Sequence, residues 1–113
     1  MHELAIAQGI IEIVNAEAKK GGFQRVLEIR LKIGEFSGII PECLLEFFPV
    51  ASAASPAEGA ALRIDTVPAR FQCLDCGYEG DADRKNACCP KCRSTAIKMT
   101  AGRELYVENL KVE

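Results

Sequence analysis

Leu4, Ala7, Ile11, Val14 and Ala18 recur at helical spacing near the start of the chain, and Ile6, Ile10 and Ile13 widen the same stripe. The pattern predicts an amphipathic helix over 3–20. Glu3 suits its first turn and Lys19 and Lys20 its last, where their charges complement the helix dipole, and Gly21 and Gly22 supply the stop. The period then changes. From Val26 to Ile33, Leu27, Ile29, Leu31 and Ile33 alternate with Glu28, Arg30 and Lys32, which predicts a strand with one buried face. Gly34 and Gly38 bracket a loop, and Pro41 stands where the first position of a second helix would be. That helix carries Leu44, Leu45, Phe47, Phe48 and Val50. Pro49 predicts a kink or an early end, because its ring clashes with the Leu45 carbonyl and removes a backbone bond.

The stretch 52–60 is rich in small residues. Alternation resumes through Leu62, Ile64 and Thr66, so 61–67 reads as a second strand closed by Pro68, and 69–72 as a third. After Gly102, 104–112 is again β-rich, but its phase shifts from Leu105 and Val107 to Leu110 and Val112. This predicts a bulge or strand end near Glu108. The expected fold class is α+β: a small sheet with two helices formed by 1–70 together with 103–113, into which a module spanning 71–102 is inserted.

That module contains Cys73-Leu-Asp-Cys76 and Cys89-Pro-Lys-Cys92, with twelve residues between the pairs. Each CxxC turn aims two thiolates at one point, and two turns close the tetrahedral four-sulfur shell of a structural zinc site. A closed shell offers no open position for substrate, so the site accounts for folding and not for activity. Gly77 and Pro90 suit the two turns. Iron in a rubredoxin-like site is the competing metal; the short intervening stretch and Arg93 in place of glycine favour zinc. Cys88 adjoins Cys89 and could replace it, although the CPxC turn favours Cys89. Cys43 lies among apolar residues, where a buried thiol is ordinary.

In a chain of 113 residues, a module of about thirty needs its metal to fold. Six cysteines could instead form three disulfides. The start Met1-His2-Glu3 lacks a basic leader, and no apolar run approaches a membrane span, so reduced thiols in a cytoplasmic protein are expected. A formal charge of −2 gives no reason to expect nucleic acid.

The single histidine is His2. A lone surface histidine usually has no role. At position two, however, the Met1 amine, the His2 backbone nitrogen and its imidazole can close adjacent chelate rings around one ion, with a fourth donor from Glu3. A square-planar nitrogen-rich site of this kind suits Ni²⁺ or Cu²⁺. Histidine at position two also disfavours removal of Met1, so the free amine is expected to persist.

Met1-His2-Glu3-Leu4 before an amphipathic helix, the 26–33 strand running into Gly34-Glu35, the segment Ala57-Glu58-Gly59-Ala60 and the two cysteine pairs together resemble the HypA family, which includes HybF. The resemblance covers essentially the whole chain. It implies a nickel metallochaperone of [NiFe]-hydrogenase maturation, with nickel at Met1, His2 and Glu3 and zinc at Cys73, Cys76, Cys89 and Cys92. The implied partners are the GTPase HypB and the hydrogenase large subunit, and some members also serve urease. Pro49, Cys88 and the lack of a second histidine depart from the pattern, and the last puts a histidine-dependent pH response of the zinc module in doubt.

Two other classes compete. A zinc-ribbon nucleic-acid binder would use Arg70, Arg84, Lys85, Lys91, Arg93 and Lys98, set against Asp75, Glu79, Asp81 and Asp83, but only Phe71 and Tyr78 could stack on bases. An adaptor role is the other. Nothing predicts an enzyme: no nucleophile–base pairing and no phosphate-binding glycine loop stand in the sequence. A module joined by two strands could exchange between protomers, so monomer and homodimer both remain open.

Overall fold

The computed structural model describes residues 3–113. Its elements follow the order α1 (Glu3–Gly21), β1 (Val26–Gly34), α2 (Pro41–Ser52), β2 (Ala61–Val67), β3 (Arg70–Cys73), β4 (Glu79–Asp81), β5 (Ile97–Ala101) and β6 (Leu105–Val112). They form two three-stranded sheets, ordered β2-β1-β6 and β4-β3-β5. The fold is therefore α+β, with the C-terminal strand returning to the first sheet. The chain divides into two compact units. One holds the described chain up to Lys32 with Gly38–Asp65 and Tyr106–Glu113; the other holds Ile33–Ser37 and Thr66–Leu105.

In the first unit, α1 buries Ala7, Ile10, Ile11 and Val14 and packs against α2, which buries Leu44 and Phe48. Burial of each large side chain contributes about 1.5 to 3 kcal/mol, so these few positions hold the helices together. Leu4 and Ile13, placed on the predicted stripe, are exposed, and the true buried face is narrower than the sequence suggested. Helix α1 ends as expected: Gly22 takes φ 70°, and its N–H donates to the Ala18 carbonyl at 2.9 Å.

The early end expected at Pro49 is corrected. Helix α2 continues three residues beyond it to Ser52. Pro49 and Leu45 both lie on the exposed side, where solvent can satisfy the Leu45 carbonyl that loses its partner. The start of β1 is a second correction. Leu27 is exposed while Val26 is buried, because the turns that follow α2 cover this end of the strand and Val26 N–H donates to the Pro56 carbonyl at 2.8 Å. Farther along, Ile29 and Leu31 are fully buried, as the alternation requires. The opposite face carries a ladder of ions: Arg63–Glu28 at 3.2 Å, Arg30–Asp65 at 3.5 Å, and Lys32 at 3.4 Å from Asp65 and 3.5 Å from Glu108. No strand end occurs at Glu108, since β6 is unbroken. Its half-buried Val107 and Leu110 are three apart, however, so the side-chain alternation does change phase there.

In the second unit, β3 pairs antiparallel with both β4 and β5. Gly34 and Gly102 let backbone approach backbone. A Cβ on Gly34 would lie 2.2 Å from the Gly102 carbonyl carbon, and one on Gly102 would lie 2.6 Å from Ala69 Cα. The close approach is fixed by Gly34 N–H donating to the Glu104 carbonyl and Phe36 N–H to that of Gly102, both at 2.7 Å.

Candidate metal centre

Strand β3 ends in Cys73, and the chain there reverses through a tight turn. Gly77, at φ 79°, returns its N–H to the Cys73 carbonyl at 3.0 Å, while Cys73 N–H donates to the Tyr78 carbonyl at 2.8 Å. The turn at Cys89 repeats this geometry. Arg93, at φ 63°, donates to the Cys89 carbonyl at 2.7 Å, and Cys89 N–H donates to the Ser94 carbonyl at 2.8 Å. In each turn a backbone N–H also points at the first sulfur, Cys76 N–H to Cys73 Sγ and Lys91 N–H to Cys89 Sγ, both at 3.4 Å. Such donors stabilise negative charge on sulfur.

The two turns bring the sulfurs of Cys73, Cys76, Cys89 and Cys92 within 4.8 Å of one another. Cys73 Sγ lies 3.5 Å from Cys92 Sγ, and Cys76 Sγ lies 3.7 Å from Cys89 Sγ. Sulfurs about 2.3 Å from a tetrahedral zinc stand ~3.8 Å apart, so the spacing fits that ion. The four cysteines are positioned to bind a metal such as zinc. Cys88 is half-buried and outside the group, as is Cys43.

The titration of these thiols follows from their neighbours. Backbone donation by Cys76 lowers the Cys73 thiol to about 7, against the opposing effect of burial. At Cys92 the Ser94 backbone acts to lower the value, but the neighbouring Cys73 sulfur and burial outweigh it and push the thiol up to about 12. Four sulfurs this close cannot all carry charge unaided. A bound cation such as zinc would supply the missing compensation.

Only a small core supports the turns. Phe71, Cys73 and Cys89 are buried together, with Ala82 and Ile97 against them, and the Tyr78 ring tilts onto Phe71 at a centroid distance of 6.0 Å. Two contacts that the sequence reading missed tie turn to turn: Ser94 Oγ donates to the Asp75 carboxylate, and Leu74 N–H donates to the Ala96 carbonyl at 2.8 Å. Serine beside the second CxxC pair and aspartate inside the first were the available signal.

Of the N-terminal residues singled out in the sequence, Met1 and His2 lie outside the described residues. Glu3 is buried in the first turn of α1, and Ile40 N–H donates to its Oε2 at 3.4 Å. Burial acts to raise the Glu3 carboxyl, yet donation from its own backbone N–H and from Ile40 prevails and holds it below the ordinary value. Glu3 is thus an ionised group fixed beside the start of α2.

Residues 1–112 match the family model described as hydrogenase/urease nickel incorporation, metallochaperone, hypA. The chain belongs to the HypA family. Hydrogenase maturation factor HypA of Bradyrhizobium sp. (strain ORS 278) is 39% identical over 113 residues, covering all of both chains. The same factor of Chlorobium luteolum is also 39% identical, over all of this chain and 97% of its own. Among solved structures, a HypA protein in solution matches with a TM-score of 0.74 at 23% identity, covering 100% of this chain and 97% of that one. The nickel metallochaperone HypA from Helicobacter pylori matches at 0.72 and 24%, covering 99% and 97%. These two likenesses show that the fold is shared. No helix among the described residues is long and apolar enough to cross a membrane.

Proposed function

We propose that this chain binds Ni(II) at its N-terminus, through Met1, His2 and Glu3, and delivers it for assembly of the [NiFe]-hydrogenase active site. The observation that carries this reading is the match of the family model over essentially the whole chain, including the Met1-His2-Glu3 start. The position of Glu3 supports it. Its ionised carboxylate accepts from Ile40 N–H, just before α2, which holds Glu3 itself at a defined point of the fold. The cysteine module, 71–102, holds a structural zinc on Cys73, Cys76, Cys89 and Cys92, and 1–70 with 103–113 form the nickel-binding domain.

The chain works by binding and release, without catalysis. Nickel is the cargo and zinc the resident ion. Any nucleotide hydrolysis belongs to the GTPase HypB, and the hydrogenase large subunit is the recipient, in the cytoplasm. A chaperone must release its cargo, so a dissociation constant of order micromolar, about −8 kcal/mol, is expected. Nickel titration of the native chain and of His2→Ala tests the reading. The variant should lose nickel binding and keep one zinc per chain; unchanged nickel affinity would refute the N-terminal site.

A further inference from the structure

A hollow of about 300 Å³ opens in the unit that carries the cysteines, and none of the four lines it. Phe36, Phe71, Ile97 and Met99 supply apolar wall, with Phe71 itself buried, and Arg84 and Arg103 supply charge. The volume lies at the small end of ligand sites. It has room for one large side chain and its backbone.

The state of the two arginines points to what is missing. Outside the hollow, four of the five other guanidinium groups pair with carboxylates, Arg70 with Asp81 at 2.7 Å, Arg63 with Glu28, Arg30 with Asp65 and Arg25 with Glu113, and Arg93 is the exception among the described residues. Arg84 has no carboxylate partner among the described residues. Its Nη2 donates to the Glu35 carbonyl at 3.0 Å, and its guanidinium carbon stands 4.6 Å from the centre of the Phe36 ring. Arg103 has no ion pair among the described residues, although Glu104 is adjacent; the Glu104 carboxylate accepts from Gly102 N–H at 2.7 Å. The one carboxylate lining the hollow, Asp83, accepts from Lys85 N–H at 2.9 Å. Two guanidinium groups without counter-ions therefore border an apolar wall. A guanidinium already stacked on an aromatic ring loses little freedom on binding and can take a carboxylate in bidentate fashion.

We propose that this hollow binds a peptide segment of a partner protein in which one large apolar side chain is flanked by carboxylates. The apolar side chain rests against Phe71, Ile97 and Met99, and the carboxylates meet Arg84 and Arg103. One buried anchor beside charge-assisted bonds is the arrangement by which small hollows contribute most to recognition. The inference uses neither nickel nor the N-terminus, so it stands or falls apart from the metallochaperone reading.

The test is a nuclear magnetic resonance titration of the zinc-loaded full chain with the blocked tripeptide acetyl-Asp-Phe-Asp-amide. Saturable shifts centred on Phe36, Phe71 and Met99 are expected. Replacing both peptide aspartates by asparagine, or its phenylalanine by glycine, should weaken binding roughly tenfold, as should Arg103→Glu. Arg103→Gln, checked for zinc content, gives the same reading if the charge reversal prevents folding. Equal binding of the asparagine peptide, equal shifts from acetate alone, or preference for a single-stranded RNA oligomer at these residues would each overturn the proposal.

Discussion

Gly77 and Arg93 occupy the same position in the two cysteine turns, each at positive φ and each donating its N–H to the carbonyl of the first cysteine of its pair. Only one is the residue such a position favours. A side chain in the left-handed region costs about 1 to 2 kcal/mol, partly offset because glycine loses more freedom on folding. Arg93→Gly should therefore raise the stability of the zinc-loaded module by about 0.5 to 1 kcal/mol, and Gly77→Ala should lower it by ~1 kcal/mol. Thermal unfolding at fixed zinc concentration measures both. A neutral Gly77→Ala would show that the turn is not held in this conformation.

Gly34 is constrained more severely, because the atom a Cβ would strike belongs to the Gly102 backbone and cannot rotate away. Gly34→Ala should cost roughly 3 kcal/mol, the upper end of ordinary overpacking. Denaturant unfolding with unchanged zinc content is the check. A loss under 1 kcal/mol would mean that the backbone at Gly102 yields easily.

Much of this was legible in the sequence, and the failures have physical causes. The α1 period, the alternation of β1 and the glycine stop stated their own elements, because burial on one face repeats with the element's period. Helix α2 could not be bounded from Pro49, since the cost of a helical proline depends on whether the carbonyl it orphans faces solvent. Leu27 and Val26 were misplaced because what covers the start of β1 is a loop remote in sequence. Strands β4 and β5 carry too few residues for a pattern; the turn at Cys73 and pairing with β3 define them. Between the adjacent Cys88 and Cys89, the CPxC turn favours Cys89 in the sequence, without excluding its neighbour. In the fold Cys89 stands with the other three sulfurs and Cys88 lies outside.

That distinction has a direct consequence. Cys89→Ala and Cys73→Ala should each abolish stoichiometric zinc and disorder the module, while Cys88→Ala should retain one zinc per chain by metal analysis. Zinc loss confined to Cys88→Ala would reverse the assignment.

The ion ladder on the first sheet makes stability depend on pH at both ends. Hydrogen bonding from Arg63 holds the Glu28 carboxyl below its ordinary value against the effect of burial. The folded state therefore binds this proton less readily than the unfolded chain. Its contribution is present above about pH 4.3 and is lost as pH falls through the lowered value. Lys32 behaves oppositely: its bond to Asp65 raises it, so its contribution is full below about pH 10.4 and is lost as pH rises through the raised value. Glu28→Gln should flatten the fall of the thermal midpoint between about pH 5 and 3, and 1 M salt should shrink the difference between the two proteins. Parallel acid profiles would show the ladder to be energetically idle.

On the proposed function, a free Met1-His2-Glu3 terminus carries and releases nickel. One added glycine before Met1 moves the histidine to position three, where an amine, two backbone amides and an imidazole can supply all four square-planar donors. The most direct measurement is hydrogenase activity in a deletion strain complemented with this extended chain, alongside nickel titration of the purified protein. Nickel binding should be retained or tighter, zinc unchanged, and hydrogenase activity lost, because the metal is held by local donors and Glu3 has shifted relative to the site. Full activity from the glycine-extended chain would contradict this and would place the working nickel site elsewhere.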